Sequence, residues 1–375
     1  MSNPVFPPVS GGFHKPQPST MNPALHSRRS LLKTALAAPI AYSLHGLAHA
    51  KDENASIQAG APPLPGDGSF TIAVLPDTQM YCLKNPDGFL AQTRWLVENR
   101  EARRIAAVLH LGDITDNNVP KQWEIARQAM SQLDGQLPYF SVPGNHDYGD
   151  NGKANHRISL LDEYFPRSKY EKLPTFGGTY DKEPASMLNS FHLFTAGGRD
   201  FLVICLEFGP RKDVVRWANE VAAKHANREA ILITHAYMYH DDTRYDWEKY
   251  GDTQSWSPHS KSYPLAENSG DDVMDGEELW RNLVSKHENF ILTLNGHVLK
   301  DGLGRLTTAT PGGRDVHQML VNFQMKPNGG DGWLRLMEFT PGRKVEIFDY
   351  SPTLDQTNSS PQNRFTLELA AVGKA

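Results

Sequence analysis

The most constraining feature of this sequence is a set of five predicted strands, each followed by polar residues that can bind metal ions. The strands are Phe70–Leu75, Ile105–Leu111, Tyr139–Val142, Ala230–Thr234 and Phe290–Leu294. They are short apolar runs bounded by turn-forming residues, which is the pattern of buried β-strands. The polar residues after them are, in chain order, Asp77, Gln79, Asp113, Asn145, His146, Asp147, His235 and His297. Since ligands in α/β sheets bind beyond the carboxyl ends of the strands, we expect these side chains to share one crevice.

Glycines placed directly before three of these residues support a shared site. Glycine precedes Asp113, Asn145 and His297, where it would let the backbone turn sharply and approach an ion closely. A single polar residue after a strand is ordinary turn chemistry. Five such strand ends are hard to explain in this way. A metal site is therefore the favoured interpretation, and turn residues with structural histidines are the alternative.

Helical patterns separate the strands in the first part of the chain. They cover residues 87–103, 120–134, 154–165, 211–226 and 276–287, with a further strand at Phe201–Phe208. After Leu303 the pattern changes to strands joined by turns, at 305–310, 319–324, 333–340 and 345–350. This order predicts an α/β fold with two packed mixed β-sheets flanked by helices, a four-layer α/β/β/α sandwich.

The same patterns predict the domain boundaries. The domain spans residues 70–352, with a Gly- and Pro-rich linker at 51–69 and a C-terminal tail at 353–375. Residues 236–275 have weak periodicity and are dense in Tyr, Trp, His and Asp. Long loops in compact domains are usually functional or disordered, and this aromatic content favours an ordered cap over a site.

The first fifty residues have the plan of a signal peptide. They contain no acidic residue, and a basic stretch with adjacent Arg28 and Arg29 precedes a weakly apolar stretch and the small-residue site Ala48-His49-Ala50. We predict a twin-arginine-type signal peptide at residues 1–50, with cleavage after Ala50. The twin-arginine export machinery would then be a partner, and the location would be periplasmic or extracellular. A stray Arg-Arg pair in a disordered tail is the alternative.

The remaining chain is moderately acidic. Without the four basic residues of the first fifty, 34 basic residues stand against 43 acidic ones. Such a chain has no general attraction for nucleic acid or anionic membranes, so we expect neither as a partner. No later apolar run is long enough to span a bilayer, so no stable membrane insertion is expected. Cys82 and Cys205 are predicted to be core residues rather than a disulfide or ligands.

Two motifs carry a resemblance to a known family. Gly112-Asp113-x-x-Asp116 and Gly144-Asn145-His146-Asp147 resemble the most specific motifs of the calcineurin-like metallophosphoesterase superfamily. The resemblance extends from about Phe70 to Tyr350 and implies two β-sheets flanked by helices. It also implies hydrolysis of a small phosphoester, mono- or diester, at a dinuclear metal centre with a bridging hydroxide.

The resemblance assigns a role to each strand-end residue. Asp113 would bridge two divalent ions, with Asp77 and Gln79 on the first ion. The ligands of the second ion would be Asn145, His235 and His297. His146 would be the general acid beside the leaving group, and Asp147 or Asp116 could orient it or a ligating histidine. A purely structural His146 is the alternative.

Two positions depart from the family's usual pattern. Gln79 stands where a histidine is usual, and Leu299 stands where a second histidine usually follows His297. A first site with mostly oxygen donors favours Mn²⁺ or Fe, with Zn²⁺ or Mg²⁺ also open, and we expect this ion to be held more weakly. Asp301 or His317 could replace the missing ligand, although neither has the expected spacing.

Substrate contacts are predicted in the segment that follows His235. Arg244 could pair with phosphate, and aromatic rings could stack on an organic leaving group. The candidates are Tyr237, Tyr239, His240, Arg244 and, further along the chain, Arg305. A solvated loop face is the alternative for each.

The favoured function is therefore a metal-dependent phosphoester hydrolase. The alternative is a catalytically weak or inactive protein that binds phosphate ligands on the same scaffold, an interpretation motivated by Leu299. A secreted zinc peptidase is excluded, because the sequence has no His-Glu-x-x-His helix.

Overall fold

Of the five strands predicted to end at the site, Tyr139–Ser141 is an edge strand, and the other four lie inside two β-sheets. The computed structural model describes residues 56–269 and 272–370, so the predicted signal peptide at 1–50 lies outside the described residues. The strands in these ranges are β1 (Ile57–Ala59), β2 (Phe70–Leu75), β3 (Ile105–His110), β4 (Tyr139–Ser141), β5 (Phe176–Thr179), β6 (Ser190–Ala196), β7 (Arg199–Leu206), β8 (Glu229–Thr234), β9 (Phe290–Asn295), β10 (Leu303–Ala309), β11 (Asp315–Val321), β12 (Leu334–Phe339), β13 (Lys344–Ser351), β14 (Gln356–Asn358) and β15 (Arg364–Glu368).

The helices are concentrated between the strands of the first 300 residues. The α-helices are α1 (Gln79–Leu83), α2 (Pro86–Glu98), α3 (Pro120–Met130), α4 (Leu161–Tyr164), α5 (Arg167–Tyr170), α6 (Lys212–Lys224), α7 (Trp247–Tyr250), α8 (Leu265–Ser269), α9 (Gly276–Asn282) and α10 (Pro327–Gly330). Short 3₁₀ helices occupy Ser131–Leu133, Asn145–Asp147, Asp150–Gly152, Gly251–Thr253 and Val284–Lys286. No helix within the described ranges is long and apolar enough to cross a membrane.

Both sheets are mixed. The first sheet has the strand order β1-β14-β13-β12-β2-β3-β4, with β15 paired to β13, and the second has the order β10-β11-β9-β8-β7-β6-β5. Strands β2, β3 and β4 are parallel to one another, as are β7, β8, β9 and β11, and the other pairs are antiparallel. The carboxyl ends of the parallel strands therefore lie at the same end of each sheet.

Alternating side chains place a core on each face of the sheets. In β2, Ile72 and Val74 pack between the two sheets against residues such as Ile231 and Leu292, while Ala73 and Leu75 face α2 and α3. Helices α6 and α9 cover the outer face of the second sheet through a further buried cluster. These layers confirm the predicted α/β fold with two packed mixed β-sheets flanked by helices. Cys82 and Cys205 are both buried and unpaired within this packing, as predicted.

Several predicted boundaries differ from the structure. Only Leu161–Tyr164 of the predicted helix at 154–165 is α-helical, because Ala154 has a φ of 47° and the chain turns before the helix begins. The helix predicted at 276–287 ends at Asn282, since Leu283 leaves helical geometry. In the predicted linker, Ile57–Ala59 pairs with β14, and in the predicted tail, Arg364–Glu368 pairs with β13. These segments therefore belong to the first sheet.

Candidate metal centre

Three residues from the two sheets form the centre of the candidate site. Asp113 follows β3 of the first sheet, and His235 and His297 follow β8 and β9 of the second. All three are buried, and the atoms with which they could bind an ion lie within 4.8 Å of one another. The predicted convergence of strand ends therefore occurs where the two sheets meet.

The backbone at this site adopts conformations that bring loops against carboxylates. Asp113 and His297 have φ angles of 46° and 76°, in the left-handed region. A side chain at Gly144 would overlap the carboxylate of Asp113, and a side chain at Gly296 would overlap that of Asp77. These two glycines therefore permit the close approach that the sequence predicted.

Asp77 lies beside this group and is held by two donors. The backbone N–H of His297 lies 3.1 Å from each carboxylate oxygen, and Nδ2 of Asn322 donates to Oδ2 at 2.9 Å. Burial raises the pKa of Asp77 to about 7, the charge of Asp113 adds to this effect, and His235 opposes it. Binding of a divalent cation at this position would therefore compete with protonation of Asp77.

Asp113 and His235 form the strongest electrostatic pair of the site. Nε2 of His235 lies 3.1 Å from Oδ1 of Asp113. Burial alone would lower the pKa of His235, but the carboxylates of Asp113 and Asp77 raise it to about 9. Burial alone would raise the pKa of Asp113, but His235 and His146 hold it well below its usual range. The positive charge of protonated His235 therefore balances the negative charge of Asp113.

Hydrogen bonds fix which ring nitrogen of each histidine is available. Nδ1 of His235 donates to the carbonyl of Leu111 at 2.8 Å, which leaves Nε2 facing Asp113. Nε2 of His297 donates to the carbonyl of Trp256 at 2.7 Å, which leaves the lone pair of Nδ1 available. Such backbone partners commonly orient histidines that bind metals.

Buried atoms that could bind a metal ion, and that lack a hydrogen-bond partner within the protein, show that the residues fit a bound cation. Oε1 of Gln79 and Oδ1 of Asn145 are buried and have no hydrogen-bond partner, and Nε2 of His235 is buried with the carboxylate of Asp113 beside it at 3.1 Å. Buried polar atoms are normally hydrogen-bonded, and leaving one unpaired is costly. Two amide oxygens and an imidazole nitrogen are donors that divalent first-row metals accept. The predicted ligands on both sides of Asp113 thus include atoms that lack another partner.

His146 is the exposed member of the set. Its backbone N–H donates to Oδ1 of Asp113 at 2.9 Å, and its side chain is 36% exposed. Its Nδ1 donates to the backbone carbonyl of Asp116 at 2.8 Å, which leaves Nε2 for another partner. Burial lowers the pKa of His146, but Asp113 and the Asp116 carbonyl outweigh it and raise the value. The protonated ring is thereby favoured next to the centre.

Asp147 does not have the orienting role predicted for it. Its carboxylate accepts hydrogen bonds from the backbone N–H groups of Gly144, Ile114 and Thr115 and from the Thr115 hydroxyl, at 2.8 to 2.9 Å. The carboxylate therefore ties the loop after β3 to the loop after β4. The orienting group of His146 is the backbone carbonyl of Asp116, a type of contact that a side-chain motif does not reveal.

The predicted cap segment contacts His297 through a backbone carbonyl and an aromatic ring. Besides the Trp256 carbonyl, the ring of Tyr263 lies with its centroid 6.0 Å from that of His297. His259 donates to Glu278 at 2.7 Å and so links this segment to α9. These contacts agree with an ordered cap over His297.

The side chains predicted to contact substrate pair with other residues of the chain. Arg244 is bound to Glu277, Thr308 and Gln318 and stacks on Trp280, so its guanidinium is engaged away from the metal ligands. Tyr237 is fully buried, and Tyr239 is buried and accepts a hydrogen bond from the backbone N–H of Ser255. His240 stacks on Tyr239, and Arg305 stacks on Phe365. None of these hydrogen bonds or ring contacts of the described residues reaches the centre.

Neither proposed substitute for the missing histidine takes that role. Both ring nitrogens of His317 are bound, one to Thr307 and the other to the carbonyl of Glu368. Asp301 is exposed and accepts from the backbone of Leu303 in its own turn. The residue that does reach the first site is Asn322, which no local sequence pattern indicated because it lies far along the chain from Asp77.

Comparisons with known proteins agree with this geometry. The calcineurin-like phosphoesterase family matches residues 70–301. The uncharacterized protein YvnB of Bacillus subtilis is 28% identical over 313 residues, which are 81% of this chain and 21% of that protein. A probable glycerophosphodiester phosphodiesterase, GpdQ of Arcobacter nitrofigilis, is 33% identical over 69 residues, 16% of this chain and 24% of that protein. The chain thus spans only about a fifth to a quarter of the length of these curated relatives.

A solved structure is also similar. The purple acid phosphatase PPD1 from yellow lupin has a TM-score of 0.49 and 13% identity, over 82% of this chain and 55% of that one.

The family match covers well over half of the chain and contains Asp77, Asp113, Asn145, His235 and His297. The chain therefore belongs to the calcineurin-like phosphoesterase family.

Proposed function

We propose that this protein is a hydrolase of small phosphoesters that depends on two divalent metal ions. The observation that carries the proposal is the convergence of Asp113, His235 and His297 next to buried donor atoms that have no other partner. Asn145, His235 and His297 would hold one ion, and Asp77 and Gln79 the other. Asp113 would contact both ions.

The ligand set leaves the centre able to attract phosphate. Two bound divalent ions would neutralise phosphoryl oxygens and lower the pKa of an attacking water. The ligands Asp77 and Asp113 contribute two negative charges, and the amides and imidazoles contribute none. The loaded centre therefore keeps a net positive charge, in a chain that is otherwise acidic. The oxygen-rich first site favours Mn²⁺ or Fe.

His146 would supply the proton to the leaving group. Its ring is the most accessible of the site histidines, and the Asp116 carbonyl holds Nδ1 so that Nε2 can meet a substrate oxygen. Asp113 raises the pKa of His146 and so favours the form that donates. General acid catalysis of this kind contributes roughly 100- to 10,000-fold to a rate.

The test is turnover of paired chromogenic phosphomonoester and phosphodiester substrates by metal-stripped protein with added Mn²⁺. We expect Mn²⁺-dependent turnover of at least one substrate, lost in His235→Ala and lowered roughly 100-fold or more in His146→Gln. His317→Gln is the matched control, because both nitrogens of His317 are bound away from the site.

Absence of turnover on both substrates with Mn²⁺ demonstrably bound would contradict the proposal. It would favour the alternative of a phosphate-binding protein on the same scaffold. The relative described as a probable phosphodiesterase matches only 69 residues of this chain, so the mono- and diester substrates are tested side by side.

A further inference from the structure

Asp77 is held by a side chain from a distant part of the chain. Asn322 directly follows β11 and lies 245 residues after Asp77, yet its Nδ2 donates to Oδ2 of Asp77 at 2.9 Å. Both residues are buried. The hydrogen bond therefore acts in a low-dielectric environment, where an ionised acceptor gains most from a fixed donor.

The amide of Asn322 can be oriented in only one way. Its Oδ1 accepts a hydrogen bond from the backbone N–H of Gln324 at 2.9 Å. A backbone N–H is a donor, so the amide oxygen must face Gln324 and the NH₂ group must face Asp77. Asn322 thus acts as a donor to Asp77, and its oxygen is not available as a metal ligand.

The backbone of Asn322 is anchored to the loop that carries His297. Its N–H donates to the carbonyl of Gly302 at 2.7 Å. Gly302 has a φ of 69°, and a side chain there would overlap the carbonyl of Asn322. The same loop sends the backbone N–H of His297 to both oxygens of Asp77. The Asp77 carboxylate is therefore clamped from two sides by segments that also contact each other.

These hydrogen bonds leave acceptor positions on the carboxylate of Asp77 for an ion. A carboxylate offers about four acceptor positions, and two donors occupy only part of them. The clamp removes rotation of the carboxylate, which would otherwise have to be frozen when an ion binds. Gln79, the other candidate ligand of the first site, has an orphaned Oε1 two residues further along the chain.

We propose that Asn322 is a positioning residue for the first metal site, which directs the carboxylate of Asp77 toward the ion without binding the ion itself. This inference rests on the proposed function, because it requires an ion at Asp77. Loss of such an outer partner typically lowers metal affinity by about 10- to 100-fold.

The test is calorimetric titration of metal-stripped full-length protein with Mn²⁺. Asn322→Leu keeps the branched shape of the side chain and removes the donor. We expect it to weaken one of two binding events by about 10- to 100-fold and to leave the other unchanged. Asp77→Asn identifies the first-site event, and adding Asn322→Leu to Asp77→Asn should have little further effect on the remaining event.

Two further variants separate positioning from general damage. Asn289→Leu removes another buried asparagine, which binds the carbonyls of Ala222 and His225 at the far end of β9, and should leave both Mn²⁺ affinities unchanged. Asn322→Ser repeats the test with a small polar side chain that cannot reach Asp77, in case the leucine variant does not fold. Thermal unfolding of each metal-free variant checks the fold.

The possible results are distinct. If wild type binds two equivalents and the Asn322 variants bind both with wild-type affinity, the positioning role is wrong while the proposed function stands. If the Asn322 variants weaken both events equally, Asn322 is only structural, and the inference is again overturned. If wild type binds no Mn²⁺, the proposed dinuclear centre fails, and this inference fails with it.

Discussion

At the scale of single residues, the site joins groups whose charges depend on one another. In the metal-free protein, His235 has a pKa raised to about 9, because the effects of Asp113 and Asp77 exceed that of burial. The stability that comes from protonated His235 is full below the unfolded value of about 6.5 and is lost as the pH rises through 9. A metal ion needs the neutral imidazole, so its affinity changes in the opposite direction.

We therefore predict opposite pH dependences for the metal-free and loaded protein. Between pH 7 and pH 9, the free energy of unfolding of the metal-free protein should fall by on the order of 2 kcal/mol. Mn²⁺ affinity should rise over the same range. Urea unfolding and calorimetry at several pH values measure the two quantities. His235→Gln should flatten both trends, and an equally steep trend in that variant would refute the assignment to His235.

Asp147 gives a second prediction at this scale, which concerns folding rather than catalysis. Asp147→Asn replaces one acceptor oxygen with a donor that faces backbone N–H groups of Gly144, Ile114 or Thr115. The variant should lose about 3 kcal/mol of unfolding free energy, because buried donors lose a charged acceptor. Asp116→Ala is the control, since the Asp116 carboxylate lies 3.9 Å from Nδ1 of His146 and is not an acceptor for the backbone of Gly144, Ile114 or Thr115. A loss below 1 kcal/mol in urea unfolding of Asp147→Asn would contradict this role.

The sequence allowed prediction of much of the site because the candidate ligands follow strands. Asp113, His235 and His297 each lie within a few residues of an apolar run, so local pattern and sheet geometry suffice to bring them together. The Asn322 side chain and the Trp256 and Asp116 carbonyls were missed, since a long-range partner or a backbone group leaves no local signature. The phosphate contact of Arg244 stays a prediction, and the sequence does not show that Glu277 binds its guanidinium.

At the scale of elements, strands that form continuous apolar runs were predictable, and the short edge strands β1 and β5 were not. Strands such as β2 and β9 are buried along their whole length, so they appear as continuous apolar runs. Strands β1 and β5 are three and four residues long and only partly buried. They form because a sheet edge offers them partners, which is tertiary information.

The loop between β9 and β10 provides a prediction at this scale. Gly302 and Gly198 have nearly the same φ, 69° and 70°, but a side chain at Gly302 would overlap Asn322 while one at Gly198 meets open space. Gly198→Ala should cost about 1 kcal/mol of stability through backbone strain alone. Gly302→Ala should cost clearly more, because steric overlap adds to the same strain. Equal losses in urea unfolding would show that the loop shifts freely away from Asn322.

At the scale of the whole molecule, the candidate centre connects the two sheets. Asp113 belongs to the first sheet, and His235 and His297 belong to the second. An ion bound by all three would therefore oppose separation of the sheets. Ligands that bind only the folded state stabilise it by about 2.7 kcal/mol at a concentration 100 times the dissociation constant.

We predict that Mn²⁺ raises the melting temperature of the protein and that a chelator reverses the rise. The shift should grow with Mn²⁺ concentration, as mass action requires. It should be much smaller in His235→Ala, in which one of the connecting ligands is missing. Scanning calorimetry measures the shift, and an undiminished shift in His235→Ala would place the stabilising ion elsewhere.

The long separation between Asp77 and Asn322 also sets the order of events during biosynthesis. The proposed first site depends on a contact that closes a loop of 245 residues, and the entropy cost of closing a loop grows with its length. A ribosome-bound chain from which Asn322 has not yet emerged contains Asp77 and Gln79, but Asn322 cannot yet hold the carboxylate of Asp77. On the proposed function, the first site would therefore reach its full metal affinity only after the chain has folded, and an ion bound there would mark a folded molecule.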